Sequence, residues 1–145
     1  MKRSTVIAPF LALLFLVLAA CAQPPVTSHG GPVQDYVSLI DHLRAAGATV
    51  TPTGEVSQPF FSVQGQTIAV NGEQVQVYEY ADASAMNAEA AHIGSDGGTI
   101  GNSSVDWIAP PHFYKAGKII ALYVGTNTTV INLLIAVLGH QFAGG

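Results

Sequence analysis

Residues 66–80 read QTIAVNGEQVQVYEY, and this stretch decides the predicted fold. Two segments rich in β-branched and aromatic residues flank Asn71-Gly72, a pair that accepts the positive φ angles of a type I′ turn. In a regular hairpin four aliphatic side chains share one face: Ile68, Val70, Val75 and Val77. Polar residues and tyrosines alternate with them, which is typical of an antiparallel sheet covered on one side. The sequence therefore predicts a β-hairpin as its best-defined element.

Further strands are predicted on both sides of this hairpin. A second hairpin has strands at residues 105–114 and 118–124, a turn at residues 115–117, and a break at Pro110-Pro111. Residues 119–124 are apolar on both faces, which places that strand centrally in the sheet. Short strands near residues 49–51 and 55–57 are interrupted by prolines, so we expect them at an edge.

Three helices complete the predicted domain. The first begins at Gly31-Pro32 and ends before Gly47, the second follows an Asp82 cap and runs through Ile93, and the third covers about residues 128–138. This order of elements predicts an α+β fold. We expect an antiparallel sheet of two main hairpins with about three helices packed on one face.

The third predicted helix is apolar on nearly every side. Within residues 130–138, Asn132 is the polar exception. At about 1.5 Å per residue the helix is less than about 20 Å long, which is too short to cross a bilayer. It must therefore be buried on most sides, either within one molecule or in a contact between two copies. A homo-oligomer stays open on this argument.

The N-terminus has the pattern of a secretory signal. Lys2 and Arg3 precede an apolar run over residues 6–20, which is short for a bilayer-spanning segment, although a retained anchor is the alternative. Residues 18–21 read LAAC, which resembles the lipobox of bacterial lipoproteins. The resemblance implies a diacylglycerol group on the Cys21 sulfur and cleavage before Cys21. We expect residues 1–20 to be a signal peptide, residues 21–31 a flexible tether, and residues 32–145 a single domain.

Three other segments, together with the lipobox, resemble a family of small uncharacterised bacterial lipoproteins. They are VSQPFF at residues 56–61, VYEYAD at residues 77–82 and WIAPPHFY at residues 107–114. The resemblance covers nearly all of the mature domain and implies no particular activity. It is consistent with a protein that is exported and held in the cell envelope through lipid on Cys21. Ala22 after the cysteine favours the outer membrane if the cell has two membranes.

The charge of the mature chain excludes one class of partner. Loss of Lys2 and Arg3 with the leader leaves three basic residues against nine acidic ones, so the formal net charge moves from −4 to −6. Such a surface repels phosphate backbones, and we therefore expect no nucleic-acid binding.

Candidate catalytic and metal-binding residues form no recognisable motif. Serines are present, but no Gly-x-Ser-x-Gly elbow marks a nucleophile. No two histidines lie at the helical spacing of a metal site: His29, His42, His92, His112 and His140. Residues 94–98 are glycine-rich but lack the Lys-Ser/Thr of a P-loop. We expect no metal or cofactor, and a small envelope hydrolase is kept as the alternative function.

Residues 107–114 concentrate the only tryptophan of the chain with two prolines, a histidine and two further aromatic residues. One interpretation is a rigid recognition surface. The other is that Trp107 and Phe113 support the core while His112 and Tyr114 stay exposed. Joined with residues 59–61, the segment supplies the candidate partner contacts: Phe60, Phe61, His112 and Tyr114. The sequence thus predicts a non-enzymatic interaction module that binds an envelope protein or ligand.

Overall fold

The computed structural model describes residues 31–145, so the leader, Cys21 and most of the tether lie outside the described residues. The elements in chain order are α1 (Tyr36–Ala45), β1 (Val50–Val56), β2 (Gly65–Val70), β3 (Glu73–Glu79), α2 (Ala83–Ala90), β4 (Thr99–Ile100), β5 (Ser103–Ser104), β6 (Pro111–Ala116), β7 (Ile119–Val124), α3 (Thr128–Leu138) and β8 (Ala143–Gly144). The predicted α+β class, the antiparallel sheet and the three helices are confirmed.

Six strands form one antiparallel sheet in the order β1-β2-β3-β7-β6-β8. The β2-β3 hairpin turns at Asn71-Gly72 with φ angles of 51° and 88°, as the sequence predicts. Strand β7 lies between β3 and β6, which confirms its central position. Strand β1 is an edge strand, and an irregularity between Pro52 and Gly54 interrupts its register. That interruption protects the edge against pairing with another chain.

The second hairpin is shorter than predicted. Its incoming strand β6 begins at Pro111, because residues 105–110 form a loop instead of extended strand. Its turn is Gly117-Lys118, since Ala116 pairs with Ile119. Gly117 has a φ of 53° and packs directly against the backbone of Gln34, where a side chain would not fit.

The helix caps follow the sequence closely. Asp35 accepts a hydrogen bond from the Ser38 amide at 2.9 Å, and this capping box starts α1 after the predicted Gly31-Pro32. Asp82 caps α2 as predicted, but the helix ends at Ala90 because Ile93 pairs with Ile100 in a β-bridge. Asn127 caps α3, whose bounds match the prediction.

Both faces of the sheet are covered, and the expectation of helices on one face is corrected in this respect. Helices α1 and α3 pack on one face and α2 on the other. The division is clearest in β7, where Ile119, Ala121 and Tyr123 join the first core. Ile120 and Leu122 alternate with them and join the second core. A strand that is apolar on both sides must be covered on both sides, so the sequence of residues 119–124 already indicated helices on both faces of the sheet.

Helix α3 is only partly enclosed. Val130 and Leu134 are buried, whereas Ile131, Leu133, Ile135, Val137 and Leu138 are half-buried against the α1 face and Ala136 is exposed. Across residues 31–145 no helix has the length and apolar character that spanning a bilayer requires.

Candidate functional site

The two aromatic segments that the sequence singles out meet in space on the α2 face of the sheet. The ring of Phe60 packs edge-on against the ring of Trp107, with centroids 6.0 Å apart. Both rings are half-buried, and the next residue, Ile108, is 100% exposed. We call the patch formed by Phe60, Trp107 and Ile108 the Trp107 surface.

A chain of aromatic contacts fixes the Trp107 surface to the core. Trp107 packs against Phe113 with ring centroids 6.0 Å apart, and Phe60 packs against Phe61 at 5.0 Å. Phe61 in turn lies 4.2 Å from the ring of the fully buried Tyr78. Each ring is held by its neighbours, so the surface loses little conformational entropy on binding.

Hydrogen bonds hold the loop that presents Ile108. The indole Nε1 of Trp107 donates to the Gly97 carbonyl oxygen at 2.7 Å. The Val105 amide donates to Gly98, and the Gly125 amide donates to the Pro110 carbonyl oxygen at 3.0 Å. Because the loop is tied before and after Ile108, that side chain is held outward by the fold.

The four predicted contact residues differ in exposure and in the face of the sheet on which they lie. Phe60 lies at the surface, whereas Phe61 is 7% exposed and lies beneath it. The expectation that His112 and Tyr114 are exposed is wrong, because their side chains are 7% and 0% exposed. Both belong to β6, and its alternation directs them to the α1 and α3 face, away from the Trp107 surface.

The exposed Ile108 was missed from the sequence. An isoleucine next to the only tryptophan is expected to face the core, because both are usually buried. The signal that could have found it is Pro110-Pro111. These prolines end the pairing of β6 at Pro111, so residue 108 lies outside the sheet and has no buried face to occupy.

His112 has a structural position. Its Nδ1 lies 2.7 Å from the Gln141 side-chain oxygen, and its Nε2 lies 3.0 Å from the Gly125 carbonyl oxygen. Its ring stacks on Tyr123 with centroids 5.9 Å apart. These contacts connect the C-terminal segment to the centre of the sheet.

The described histidines and serines do not assemble into a catalytic triad. In residues 31–145 no serine hydroxyl is hydrogen-bonded to a histidine; Ser62 donates to Glu89 at 2.5 Å, and Ser38 serves the cap of α1. His42 lies within hydrogen-bond distance of two backbone carbonyls, those of Ser38 and Gly31. Residues 31–145 therefore offer no serine nucleophile paired with a histidine base to support the alternative prediction of a hydrolase.

The glycine-rich loop is equally committed to structure. The amides of Gly94, Gly97 and Gly98 donate to Thr99, Gly94 and Asp96, so they are not directed at an anion. The part of the chain that the structure describes contains no group of three or more histidine, cysteine, aspartate or glutamate residues placed to hold a metal ion.

Acidic side chains outnumber basic ones in residues 31–145, and each of the three basic side chains already contacts another group of the protein. Lys118 forms an ion pair with Glu79 at 2.8 Å, and this partner raises the pKa of Lys118. Lys115 donates to Asn87 at 3.0 Å and lies over the Phe142 ring, while Arg44 donates to the Val50 carbonyl oxygen. Across residues 31–145 the Lys118 pair is the only salt bridge.

Comparison with known proteins supplies no identity, since no family, curated protein or solved structure matches this chain. The resemblance to small bacterial lipoproteins stays a prediction from the sequence.

Proposed function

We propose that this chain is a lipid-anchored envelope protein that binds another envelope protein through the Trp107 surface and catalyses no reaction. The anchor is Cys21, which carries lipid after removal of residues 1–20. The observation that supports the binding role is the meeting of Phe60 and Trp107 beside the fully exposed Ile108.

An exposed apolar residue alone is ordinary on a protein surface. Ile108 differs because it directly follows Trp107 in the chain and projects from a loop that hydrogen bonds hold in place. Rigid aromatic residues next to an apolar side chain are typical of the centre of protein interfaces. A fully exposed isoleucine side chain does not stabilise the fold, so contact with a partner is the best explanation of its position.

The position of the tether supports a partner in place of the bilayer. Gly31 contacts His42 on α1, so the described chain begins on the α1 face of the sheet. The Trp107 surface belongs to the opposite face. With α1 turned toward the membrane, the Trp107 surface faces away from it.

The test compares partner capture by two matched variants of the full-length lipidated protein. Ile108→Asp places a charge on the fully exposed residue of the Trp107 surface. Val37→Asp is the control, because Val37 is 63% exposed on α1, across the sheet from that surface. Burial of an isoleucine side chain stabilises a complex by about 1.5 to 3 kcal/mol, so its loss weakens binding at least about tenfold.

Each protein is purified from its own membranes in mild detergent, and the co-purifying proteins are quantified by mass spectrometry. We expect one or more envelope proteins to be recovered with the parent chain and with Val37→Asp, but not with Ile108→Asp. Equal recovery with both variants would contradict the proposed binding surface.

A further inference from the structure

We infer that the partner of the Trp107 surface is a cationic protein segment in which a lysine or arginine lies beside an apolar side chain. This inference rests on the proposed function and names the chemistry of its partner. The observations that carry it are the charges around the surface and the exposure of the Trp107 ring.

Three carboxylates lie in the segments that frame the Trp107 surface. Asp106 immediately precedes Trp107 and is exposed. Asp96 is exposed and precedes Gly97, whose carbonyl oxygen accepts the Trp107 indole hydrogen bond. Glu89 is half-buried and accepts a hydrogen bond from Ser62, which follows Phe61. None of these carboxylates forms a salt bridge within residues 31–145.

The cation on this face does not neutralise them. Lys115 is held by the Asn87 side chain and lies over the Phe142 ring, 5.3 Å from its centroid. Lys118 is paired with Glu79, and Arg44 lies on α1, across the sheet. A cation supplied by a partner would therefore meet carboxylates that have no cationic partner within residues 31–145, although Asp96 accepts a hydrogen bond from the Gly98 amide and Glu89 accepts one from Ser62.

The tryptophan adds a second attraction for a cation. Its ring packs edge-on with Phe60 and Phe113 but is only half-buried, so part of it remains accessible. A lysine or arginine over an indole face is attracted by the ring quadrupole. Ile108, the next residue, offers an apolar contact, so the surface matches a segment that carries both basic and apolar side chains.

The same charges disfavour the two other occupants. An anionic bilayer and a second copy of this chain are both negatively charged, and the described residues carry a formal charge of −6. Like charges facing each other across an interface oppose association. A basic protein segment is the occupant that the charge favours.

The test uses the full-length chain in detergent micelles and two short peptides with the same leucine spacing, one carrying lysines and the other glutamates. Neither peptide contains tryptophan, so the fluorescence of Trp107, the only tryptophan of the chain, reports binding at the surface itself. We expect the lysine peptide to shift the Trp107 emission with an affinity that falls as salt is added. We expect the glutamate peptide to leave it unchanged.

Charge reversal separates the local effect from overall attraction. Asp106→Lys should weaken the lysine peptide roughly tenfold, because it replaces an attraction by a repulsion beside Trp107. Asp41→Lys makes the same change in net charge on α1, across the sheet, and should weaken it much less. Equal effects of the two variants would overturn the inference, as would equal binding of both peptides or no binding of either.

Vesicles of phosphatidylglycerol and phosphatidylethanolamine provide the lipid arm. A Trp107 emission shift on addition of these vesicles to the lipid-free Cys21→Ser variant would overturn the inference in favour of a membrane. Failure of the lysine peptide while Ile108→Asp still abolishes partner capture would refute the cationic chemistry and leave the proposed function standing. Failure of the capture experiment would refute the function itself.

Discussion

Replacement of Tyr114 by phenylalanine should stabilise this protein. The Tyr114 side chain is 0% exposed in the core beneath α1 and α3, and its hydroxyl has no hydrogen-bond partner among residues 31–145. An enclosed hydroxyl without a partner loses its hydration and gains nothing in exchange. Tyr114→Phe removes this oxygen and keeps the ring.

Tyr78 supplies the matched control on the opposite face. It is also 0% exposed, but its hydroxyl donates to the Gln76 side-chain oxygen at 2.5 Å. Loss of such a bond costs about 0.5 to 1.5 kcal/mol, whereas an unpartnered buried hydroxyl costs about 1 to 3 kcal/mol. We therefore expect Tyr114→Phe to gain about 1 kcal/mol in the free energy of unfolding and Tyr78→Phe to lose about 1 kcal/mol.

Equilibrium urea unfolding, followed by the fluorescence of Trp107, measures both changes. For a domain of this size, 1 kcal/mol corresponds to a shift of the melting temperature by about 4 °C, so thermal unfolding gives a second reading. The two variants should move in opposite directions. A destabilisation of Tyr114→Phe by as much as Tyr78→Phe would refute the assignment of an unsatisfied hydroxyl.

Four further predictions concern the buried tyrosines, Ile108, the lipid anchor and self-association. Burial raises the pKa of Tyr78 and Tyr114 above the ordinary value near 10, so above that pH the unfolded state releases protons that the folded state keeps. The free energy of unfolding should then fall by up to about 1.4 kcal/mol per pH unit for each such tyrosine. Urea unfolding measured between pH 9 and 11 checks this, and a free energy of unfolding that does not change with pH would contradict it. Ile108→Asp should change the free energy of unfolding by less than about 0.5 kcal/mol, because the side chain is fully exposed, and a larger loss in urea unfolding would show that Ile108 packs in the core. Cys21→Ser should abolish incorporation of labelled palmitate and move the protein out of the membrane fraction, whereas retention of the label would place the lipid elsewhere. Light scattering at several concentrations should show a monomer, because the acidic surface opposes contact between copies, and a concentration-dependent dimer would instead favour pairing through α3.

The sequence predicted the local elements well because their signals are local. Asn71-Gly72 accepts positive φ angles, and Asp82 and Asn127 have side chains that cap a helix, so these features depend on few neighbours. The bounds of α3 agree with the prediction, and in the structure Asn127 caps its start and Gly139 its end. The predicted start of α1 at Gly31-Pro32 was too early, because the Asp35 capping box begins the helix. The Gln34 carbonyl oxygen, just before the cap, accepts a hydrogen bond from the Lys118 amide instead of a helical one.

The arrangement of the helices was harder to predict because it depends on long-range packing. Tyr78 of β3 and Tyr80, just after it, were expected on a solvent-facing side of the sheet, yet Tyr78 is covered by Phe61 and Tyr80 belongs to the α2 core. The loop before β6 turns His112 and Tyr114 inward and Ile108 outward. Periodicity alone in residues 107–114 does not specify that choice, because it depends on where the pairing of β6 starts, which is at Pro111.

The most direct measurement of the proposed function is photo-crosslinking from residue 108 in living cells. A photoreactive amino acid replaces Ile108 in the full-length chain, and a second protein carries it at Val37 as the control. We expect a discrete crosslinked protein from residue 108 and none of the same mass from residue 37. Crosslinks to lipid alone from residue 108, or the same products from both positions, would contradict it.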